Sequence, residues 1–214
     1  MSEITLNDVE RTLRSMAATA LSNEKYFCEL DAAAGDADFG VSLAAGFREI
    51  QNEWEQIDRS SIGAILLKAS MIITSNTGGC SGPIWGTAFM RAGALSREKT
   101  SLTMEDIDAM LEAAMEGIKK RGGAELGDKT LLDALAPVKE VVSSYIGKDA
   151  ADGEVLREAT RVADDAIEGT KDWVARRGRQ SFTGERSAGT PDPGIVAIAT
   201  MLKDLCEEFG VDTK

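Results

Sequence analysis

The sequence contains no histidine among its 214 residues. A Ser-His-Asp triad, a phosphohistidine intermediate and a histidine general base are therefore excluded for this chain. Any catalysis must use carboxylates, lysine or arginine, a bound metal, or residues supplied by a partner. Cysteine is also scarce, and Cys28, Cys80 and Cys206 lie far apart. We therefore expect neither a disulfide framework nor a zinc site, and we expect a reducing, cytoplasmic compartment.

Basic residues and long apolar segments are few. There are 24 Lys and Arg against 36 Asp and Glu, which gives a formal net charge of −12. Because nucleic-acid binding relies on basic patches, this charge argues against a nucleic-acid partner. No apolar run approaches the ~20 residues of a membrane-spanning helix. The polar start of the chain, MSEITLNDVERTL, does not resemble a signal peptide, so we expect no membrane association.

Strand signals are weak, since only 5% of the residues are aromatic and period-two runs are rare. Helical periodicity dominates instead. It predicts one all-α domain over residues 1–214, a bundle or barrel of about eight antiparallel helices. The caps predicted for these helices include Thr5, Ser60 or Ser61, Thr103 and Asp152, and either Asp128 or Thr130 begins the helix that follows residue 127. Predicted helices cover residues 6–22, 24–33, 39–54, 62–75, 104–120, 128–145, 153–177 and 195–209, and another starts near Pro83.

Three carboxylates crowd together near residue 35. The segment GDADFG at 35–40 places Asp36 and Asp38 between glycines, and Asp31 lies just upstream. Like charges this close destabilise one another unless a cation lies among them, and carboxylate oxygens are ligands for Mg²⁺ and Ca²⁺. The alternative is a solvated turn in which Asp38 caps the next helix. We predict a divalent metal site at Asp31, Asp36 and Asp38.

Three later segments are rich in glycine or arginine. Residues 77–83 (TGGCSGP) place glycines and a hydroxyl at a helix start, where phosphate binds well. Residues 121–130 (RGGAELGDKT) place Gly122 where it can line a flat ligand, and residues 177–194 carry three arginines suited to phosphate. Each segment alone is also explained as a helix connector or a surface loop. Because alternate connections of an up-and-down bundle lie at one end, these segments can converge with the aspartates on one phosphorylated ligand.

Four motifs occur in order along the chain: LDAAAGDAD at 30–38, GGCSGPIWGT at 78–87, GDKTLLDAL at 127–135 and GERSAGTPDPG at 184–194. Together they resemble the nucleotide-binding L subunit of dihydroxyacetone kinase, which is also the C-terminal domain of single-chain, ATP-dependent dihydroxyacetone kinases. The resemblance extends from about residue 5 to residue 210.

The resemblance implies a barrel of eight antiparallel helices that binds ADP or ATP at one end. It implies that Asp31, Asp36 and Asp38 hold a pair of Mg²⁺ ions bridging the phosphates. It also implies that a ketose is held by a histidine of a separate K-type subunit. The positions that match nucleotide contacts are Phe39, Gly40, Val41, Ser42, Cys80, Ser81, Gly122, Leu131, Arg179, Asp192, Pro193 and Gly194.

The chain departs from the family pattern at three positions. Phe39 and Thr190 stand where the family usually has histidine, and Ser42 stands where asparagine is common. One hypothesis is a kinase subunit in which Arg179 stabilises the transferred phosphoryl group on its way to dihydroxyacetone or a tetrulose. Its donor is either exchangeable ATP or a phosphotransferase-system protein that rephosphorylates bound ADP.

Two other hypotheses follow from the same residues. With Phe39 and Thr190 in place of histidine, the chain can instead act as a nucleotide-binding regulatory module with weak or no phosphotransfer. The third possibility is a helical scaffold that binds no ligand. The sequence leaves open the ketose, the donor and whether the chain forms a homodimer.

Overall fold

The computed structural model describes residues 3–151 and 153–213. Nine α-helices and one antiparallel pair of two-residue strands form within this part of the chain. The strands are β1 (Ile4–Thr5) and β2 (Ser101–Leu102). The helices are α1 (Leu6–Ser22), α2 (Glu24–Ala32), α3 (Phe39–Asn52), α4 (Ile62–Asn76), α5 (Ser81–Leu95), α6 (Met104–Gly122), α7 (Leu131–Ser144), α8 (Glu154–Lys171) and α9 (Pro193–Phe209).

Contacts between the helices close into a ring. Helix α1 packs on α3, α3 packs on α4, and each helix from α4 to α8 packs on the next in sequence. Helix α9 then packs on α1 and completes the ring, while the short helix α2 lies outside it against α3 and α9. The predicted all-α barrel of about eight helices is therefore confirmed, with α2 as an additional element.

The interior of the ring is filled by apolar faces of the helices. Leu43, Phe47 and Ile50 of α3 follow helical spacing and are fully buried. The Phe47 ring meets the edge of Trp85 from α5, with 6.2 Å between ring centroids. Burying one such side chain contributes ~1.5–3 kcal/mol, so packing against the core stabilises the ring more than local helix propensity does.

The helix starts agree closely with the sequence signals. Thr5, Thr103 and Thr130 each form a capping box with an aspartate three positions later. The predicted caps Thr5 and Thr103 are confirmed, and Ser61 caps α4. The predicted cap Asp152 lies outside the described residues.

The start of α7 agrees with one of its two predicted positions. Thr130 caps the helix, which begins at Leu131 and not at Asp128, and Lys129 before it has a left-handed backbone with φ of 63°. The predicted end of α8 is wrong. Helix α8 ends at Lys171 and not at Arg177. The chain then forms a long connection to α9, residues 172–192, which we call the arginine loop. It contains two short 3₁₀ turns over Arg179–Ser187, separated by a kink at Gly184, where the sequence predicted only irregular structure.

Four alternate connections meet at one end of the ring, as an antiparallel arrangement requires. They are residues 33–38, 77–80 and 123–130 and the arginine loop. A cavity of about 650 Å³ opens here, and residues from all four connections line it.

None of the helices in the described ranges combines the length and apolar character that crossing a bilayer requires.

Candidate functional site

The three aspartates predicted from the sequence come together at the end of α2 and in the turn before α3. One side-chain oxygen from each of Asp31, Asp36 and Asp38 lies within 4.8 Å of the other two. Asp31 is buried, with 4% of its surface exposed, whereas Asp36 and Asp38 are exposed. We call these three residues the acidic cluster. Its all-oxygen donor set and close spacing suit a hard divalent cation.

Backbone groups hold the Asp31 carboxylate in place. Its Oδ2 accepts the backbone N–H of Asp38 at 3.1 Å and that of Phe39 at 3.3 Å. The turn also closes on this carboxylate from the other side, since a β carbon at Gly35 would lie 1.9 Å from Asp31 Oδ1. Asp31 therefore organises the turn and the start of α3 at once.

The capping alternative for Asp38 is not supported by this geometry. Asp38 stands at the N-cap position of α3, but its side chain makes no capping hydrogen bond. The N–H groups of Asp38 and Phe39 are taken by Asp31 instead. The Asp38 carboxylate is thus left to face the other two members of the acidic cluster.

The acidic cluster is electrostatically unfavourable without a cation. Burial raises the pKa of Asp31, although the N–H groups of Phe39 and Asp38 partly oppose this, and the charge of Asp36 raises it further. Partial burial and then the charge of Asp36 also raise the pKa of Asp38. Arg179 relieves part of this charge, because its Nε lies 3.0 Å from Asp36 Oδ2. A divalent ion would relieve more of it.

The turn before α5 forms a second part of the cavity wall. Gly78, Gly79, Cys80 and Ser81 all line it. Gly79 has φ of +60°, and a β carbon there would meet nothing within 4 Å. Its left-handed backbone conformation therefore favours glycine, whereas steric crowding does not. Cys80 precedes α5 without a side-chain cap. No capping side chain therefore competes for the first N–H groups of α5, which a helix start offers to an anion.

A third part of the wall is apolar. Ile84, Ile118, Ala124 and Leu131 line it together with Gly122. A β carbon at Gly122 would come within 2.9 Å of Ile84 Cδ1, so glycine keeps this part of the wall close-packed and flat. Such a surface suits a planar, partly apolar group such as a nucleobase.

Asp192 completes the wall at the start of α9. Its Oδ1 accepts the backbone N–H of Ile195 at 2.9 Å and caps the helix. Burial raises the pKa of Asp192 to about 7, although the N–H groups of Ile195 and Gly194 and the charge of Lys129 lower it. Asp192 is therefore a carboxyl group that changes charge near neutral pH.

Most of the residues that the resemblance assigns to a nucleotide lie at this cavity. Gly40, Val41 and Ser42 do not line it: Gly40 is packed against the backbone of α2, and 54% of Val41 is exposed. Ser42 Oγ lies close to Gly78 and so borders the turn before α5. The cavity-lining members of the predicted set are Asp31, Asp38, Phe39, Cys80, Ser81, Gly122, Leu131, Arg179, Asp192, Pro193 and Gly194.

Other lining residues were not assigned to the site from the sequence. Trp85, predicted as core, is 4% exposed and also lines the cavity. Helical spacing was the available signal, because residues 81, 84 and 85 share one face of α5, and residues 118 and 122 share one face of α6. The further lining residues include Ile84, Ile118, Thr130, Arg176, Gln180 and Phe182.

Comparison with known proteins places this site in a family. The family model for the DAK2 domain matches residues 33–207. The ADP-binding subunit DhaL of the PEP-dependent dihydroxyacetone kinase of Escherichia coli (strain K12) is 35% identical over 184 residues, 86% of this chain and 88% of that protein. The L-erythrulose 1-kinase of Mycolicibacterium smegmatis is 34% identical over 205 residues, 94% of this chain but 35% of that protein.

A solved structure shows the same fold. The dihydroxyacetone kinase from C. freundii in complex with AMP-PNP and Mg²⁺ superposes with a TM-score of 0.69 at 27% identity. The match covers 92% of this chain and 33% of that chain, so this chain spans about a third of that kinase. The chain belongs to the DAK2 domain family and is of the DhaL type.

Proposed function

We propose that this chain is the nucleotide-binding subunit of a dihydroxyacetone-type kinase, with its 214 residues acting as one DhaL-type domain. ADP or ATP would occupy the cavity of about 650 Å³ beside the acidic cluster. The observation that carries the proposal is the convergence of three carboxylates within 4.8 Å of one another with a helix start and an arginine loop. Complexation of the similar C. freundii kinase with AMP-PNP and Mg²⁺ supports it.

The acidic cluster fits magnesium better than a softer metal, because every donor is a carboxylate oxygen. Asp31, Asp36 and Asp38 would hold the ion or pair of ions. Bound Mg²⁺ would neutralise phosphate oxygens and so offset the repulsion between an acidic protein and a polyphosphate.

The residues of the chain then have separable roles. The N–H groups at the start of α5 would bind phosphate, and the apolar wall at Gly122 and Leu131 would hold the base. Arg179, whose side chain is about half exposed beside Asp36, is proposed as the catalytic residue. Its guanidinium would stabilise negative charge on the phosphoryl group during transfer.

The acceptor of the phosphoryl group requires a partner. A chain without histidine cannot hold a ketose through a histidine of its own, so we assign the ketose to a K-type subunit.

The donor is either exchangeable ATP or a phosphotransferase-system protein that rephosphorylates retained ADP. ADP that stays bound through extensive dialysis would favour the second donor. Turnover of free ATP with only the K-type subunit added would favour the first.

All three cysteines are free thiols, which supports a reducing cytoplasm as the compartment.

Titration calorimetry with ADP, with and without Mg²⁺, tests the proposal. We expect micromolar or tighter binding that requires the divalent ion. The control is the triple variant Asp31→Ala, Asp36→Ala and Asp38→Ala, which should lose binding while its circular dichroism stays helical. Magnesium-independent binding, or full binding by the triple variant, would contradict the proposed site.

The regulatory-module alternative has a specific observation in its favour. Phe39, at a family histidine position, packs against Phe27 with 6.0 Å between ring centroids. Thr190 stands at the second position where the family usually has histidine, and its hydroxyl donates a hydrogen bond to the Ser187 carbonyl. If the chain is only a module, the double substitution Phe39→His and Thr190→His should raise phosphotransfer in the presence of a K-type subunit. Robust wild-type transfer without such a gain would eliminate the alternative.

A further inference from the structure

Lys129 is a lysine whose whole side chain is buried. Its exposed fraction is 0%, and burial lowers its pKa, although the charges of Asp192 and Asp172 oppose this. The ammonium group donates to three backbone carbonyl oxygens: to Lys171 at 2.8 Å, Trp173 at 3.0 Å and Ser187 at 2.7 Å. All three of its N–H donors are thus used. Burying a cation is costly unless its hydrogen bonds are complete, so this environment requires a reason.

The three carbonyls belong to the two ends of the arginine loop. Lys171 and Trp173 lie where the chain leaves α8, and Ser187 lies where it returns towards α9. One of these carbonyls also joins the two ends directly, because the Lys171 oxygen accepts the N–H of Gly189 at 2.9 Å. Within the returning end, the Ser187 oxygen accepts the hydroxyl of Thr190 at 2.8 Å. We call residues 171–175 and 187–190 the loop base.

Two further bonds hold this region, one to the residue before Lys129 and one between the two halves of the loop base. The Arg176 N–H bonds the carbonyl of Asp128, the residue before Lys129, at 3.0 Å. Ser187 Oγ accepts the N–H of Ala175 at 2.9 Å. Because Lys129 has a left-handed backbone directly before the cap of α7, its side chain leaves the helix start and enters the loop base.

The far part of the loop carries the arginine of the site. Arg179 lies between the two halves of the loop base in sequence, and it reaches the acidic cluster through its 3.0 Å contact with Asp36. Arg179 is also exposed, so little packing fixes its side chain. The position of its backbone is set by the loop base and by the neighbouring Gln180, which is buried and donates to the Pro191 carbonyl at 3.2 Å.

We propose that Lys129 is a positioning residue for the arginine loop: it fastens both ends of the loop to α7 so that Arg179 stays beside the acidic cluster. The role of Arg179 towards a nucleotide rests on the proposed function. The anchoring itself is a property of the free chain and is testable without any ligand.

Hydrogen–deuterium exchange of the nucleotide-free chain tests the anchoring. In Lys129→Met, the amides of Ala175, Arg176 and Gly189 should exchange at least tenfold faster, while amides of α1, α3 and α4 keep their rates. The matched control is Lys139→Met, which removes a lysine within α7 that pairs with Asp108 and Glu112. It should leave the loop base unchanged. Unchanged rates in Lys129→Met, or equal acceleration in all helices, would overturn the proposal.

A double-mutant cycle tests whether Lys129 acts through Arg179. Dissociation constants for ADP with Mg²⁺ are measured for the wild type, Lys129→Met, Arg179→Ala and the double variant. We expect each single substitution to weaken binding at least threefold, and the double variant to bind no more weakly than Arg179→Ala. Effects that multiply in the double variant would overturn the proposal.

A second variant covers the case in which Lys129→Met does not fold. Lys129→Gln keeps a polar side chain but is shorter and offers two N–H donors where three carbonyls need them. It should loosen the same loop amides and show the same lack of additivity with Arg179→Ala; normal exchange would overturn the proposal. A wild type that binds no ADP would refute the proposed function, whereas the exchange data would still decide the anchoring.

Discussion

Gly35 gives the Asp31 carboxylate its space, because a β carbon at this position would lie 1.9 Å from Asp31 Oδ1. We expect Gly35→Ala to push this carboxylate out of the acidic cluster and to weaken Mg²⁺-dependent ADP binding at least tenfold. The free energy of unfolding should fall by ~1–3 kcal/mol, because the displaced carboxylate is buried and also loses its bonds to the N–H groups of Asp38 and Phe39. Titration calorimetry and urea unfolding measure the two effects.

Gly169→Ala is the matched control for this substitution. Gly169 lies within α8, and a β carbon there would meet nothing within 4 Å. Alanine should stabilise the chain by ~0.5–1 kcal/mol through helix propensity and leave ADP affinity unchanged. If the two glycine variants bind ADP equally well, the Asp31 carboxylate does not contribute to the site.

Asp192 makes stability depend on pH. Its pKa is raised to about 7 from an ordinary value of 3.8, so across this window the folded chain keeps a proton that the unfolded chain has lost. Stability should therefore fall as pH rises from ~4 to ~7, and the loss should persist above pH 7. Asn also caps helices well. Asp192→Asn should thus gain roughly 2 kcal/mol over the wild type across this range, after allowance for solvent at a half-buried group.

Urea unfolding of both chains at several pH values measures this difference. The stability gap between Asp192→Asn and the wild type should widen as pH rises and then stay constant above pH ~7. A gap of the same size at every pH would mean that Asp192 titrates as an ordinary carboxylate.

At the scale of helices, two capping boxes with the same residues lie in different places. Thr130 and Asp133 begin α7 at the cavity, whereas Thr103 and Asp106 begin α6 at the other end of the ring. We expect Thr130→Ala and Thr103→Ala each to cost ~1 kcal/mol of stability. Only Thr130→Ala should also weaken ADP binding, because α7 starts with the cavity residue Leu131. Chemical denaturation and calorimetry on both variants check this. Equal ADP affinities would separate the start of α7 from the ligand site.

Local signals were sufficient to predict most of the helices. Thr5 and Thr103 stand directly before apolar periodic segments, and the structure uses both as caps. The failure at Arg177, where the predicted helix was too long, has a tertiary origin. The Lys129 ammonium bonds carbonyls that are 42, 44 and 58 residues away. Helical periodicity carries no information on such distant partners, so the sequence predicted helix where tertiary bonds end it.

The candidate site also has one part that local sequence predicts and another part that only the fold brings together. Asp31, Asp36 and Asp38 were predicted as a group because they are close in sequence, and their spacing alone suggested a cation. Ile84 and Ile118 come together only because the ring closes, so nothing local marked them as neighbours. The sequence also did not show that Asp31 and Asp38 have different roles. Asp31 is buried and holds the start of α3, whereas Asp38 is exposed, and this difference depends on the turn between them.

At the scale of the whole molecule, the ring explains how an acidic chain can bind an anion. The net charge of −12 is unfavourable for a polyphosphate, and the acidic cluster adds to this locally. Arg176, Arg177 and Arg179 line the same cavity, so the alternate connections concentrate positive charge there. Together with the proposed divalent ion, they would confine the attraction for a polyphosphate to one end of the ring.

The ring should also unfold as one unit. Its main core takes buried side chains from every helix except α6, and the two smaller apolar clusters contain only four and three buried residues. Trp54 and Trp85 are buried, whereas 41% of Trp173 in the arginine loop is exposed. We expect tryptophan fluorescence and far-ultraviolet circular dichroism to give the same midpoint in a thermal or urea transition.

Ligand linkage provides the final measurement on the intact chain. ADP with Mg²⁺ at a hundred times its dissociation constant should stabilise the folded state by ~2.7 kcal/mol. For a chain of this length, that energy corresponds to a rise of ~5–10 °C in Tm. ADP without Mg²⁺ should give almost no rise, and neither should the triple aspartate variant with both ligands. Two separated transitions, of which only one shifts, would show that the cavity belongs to a smaller cooperative unit than the closed ring.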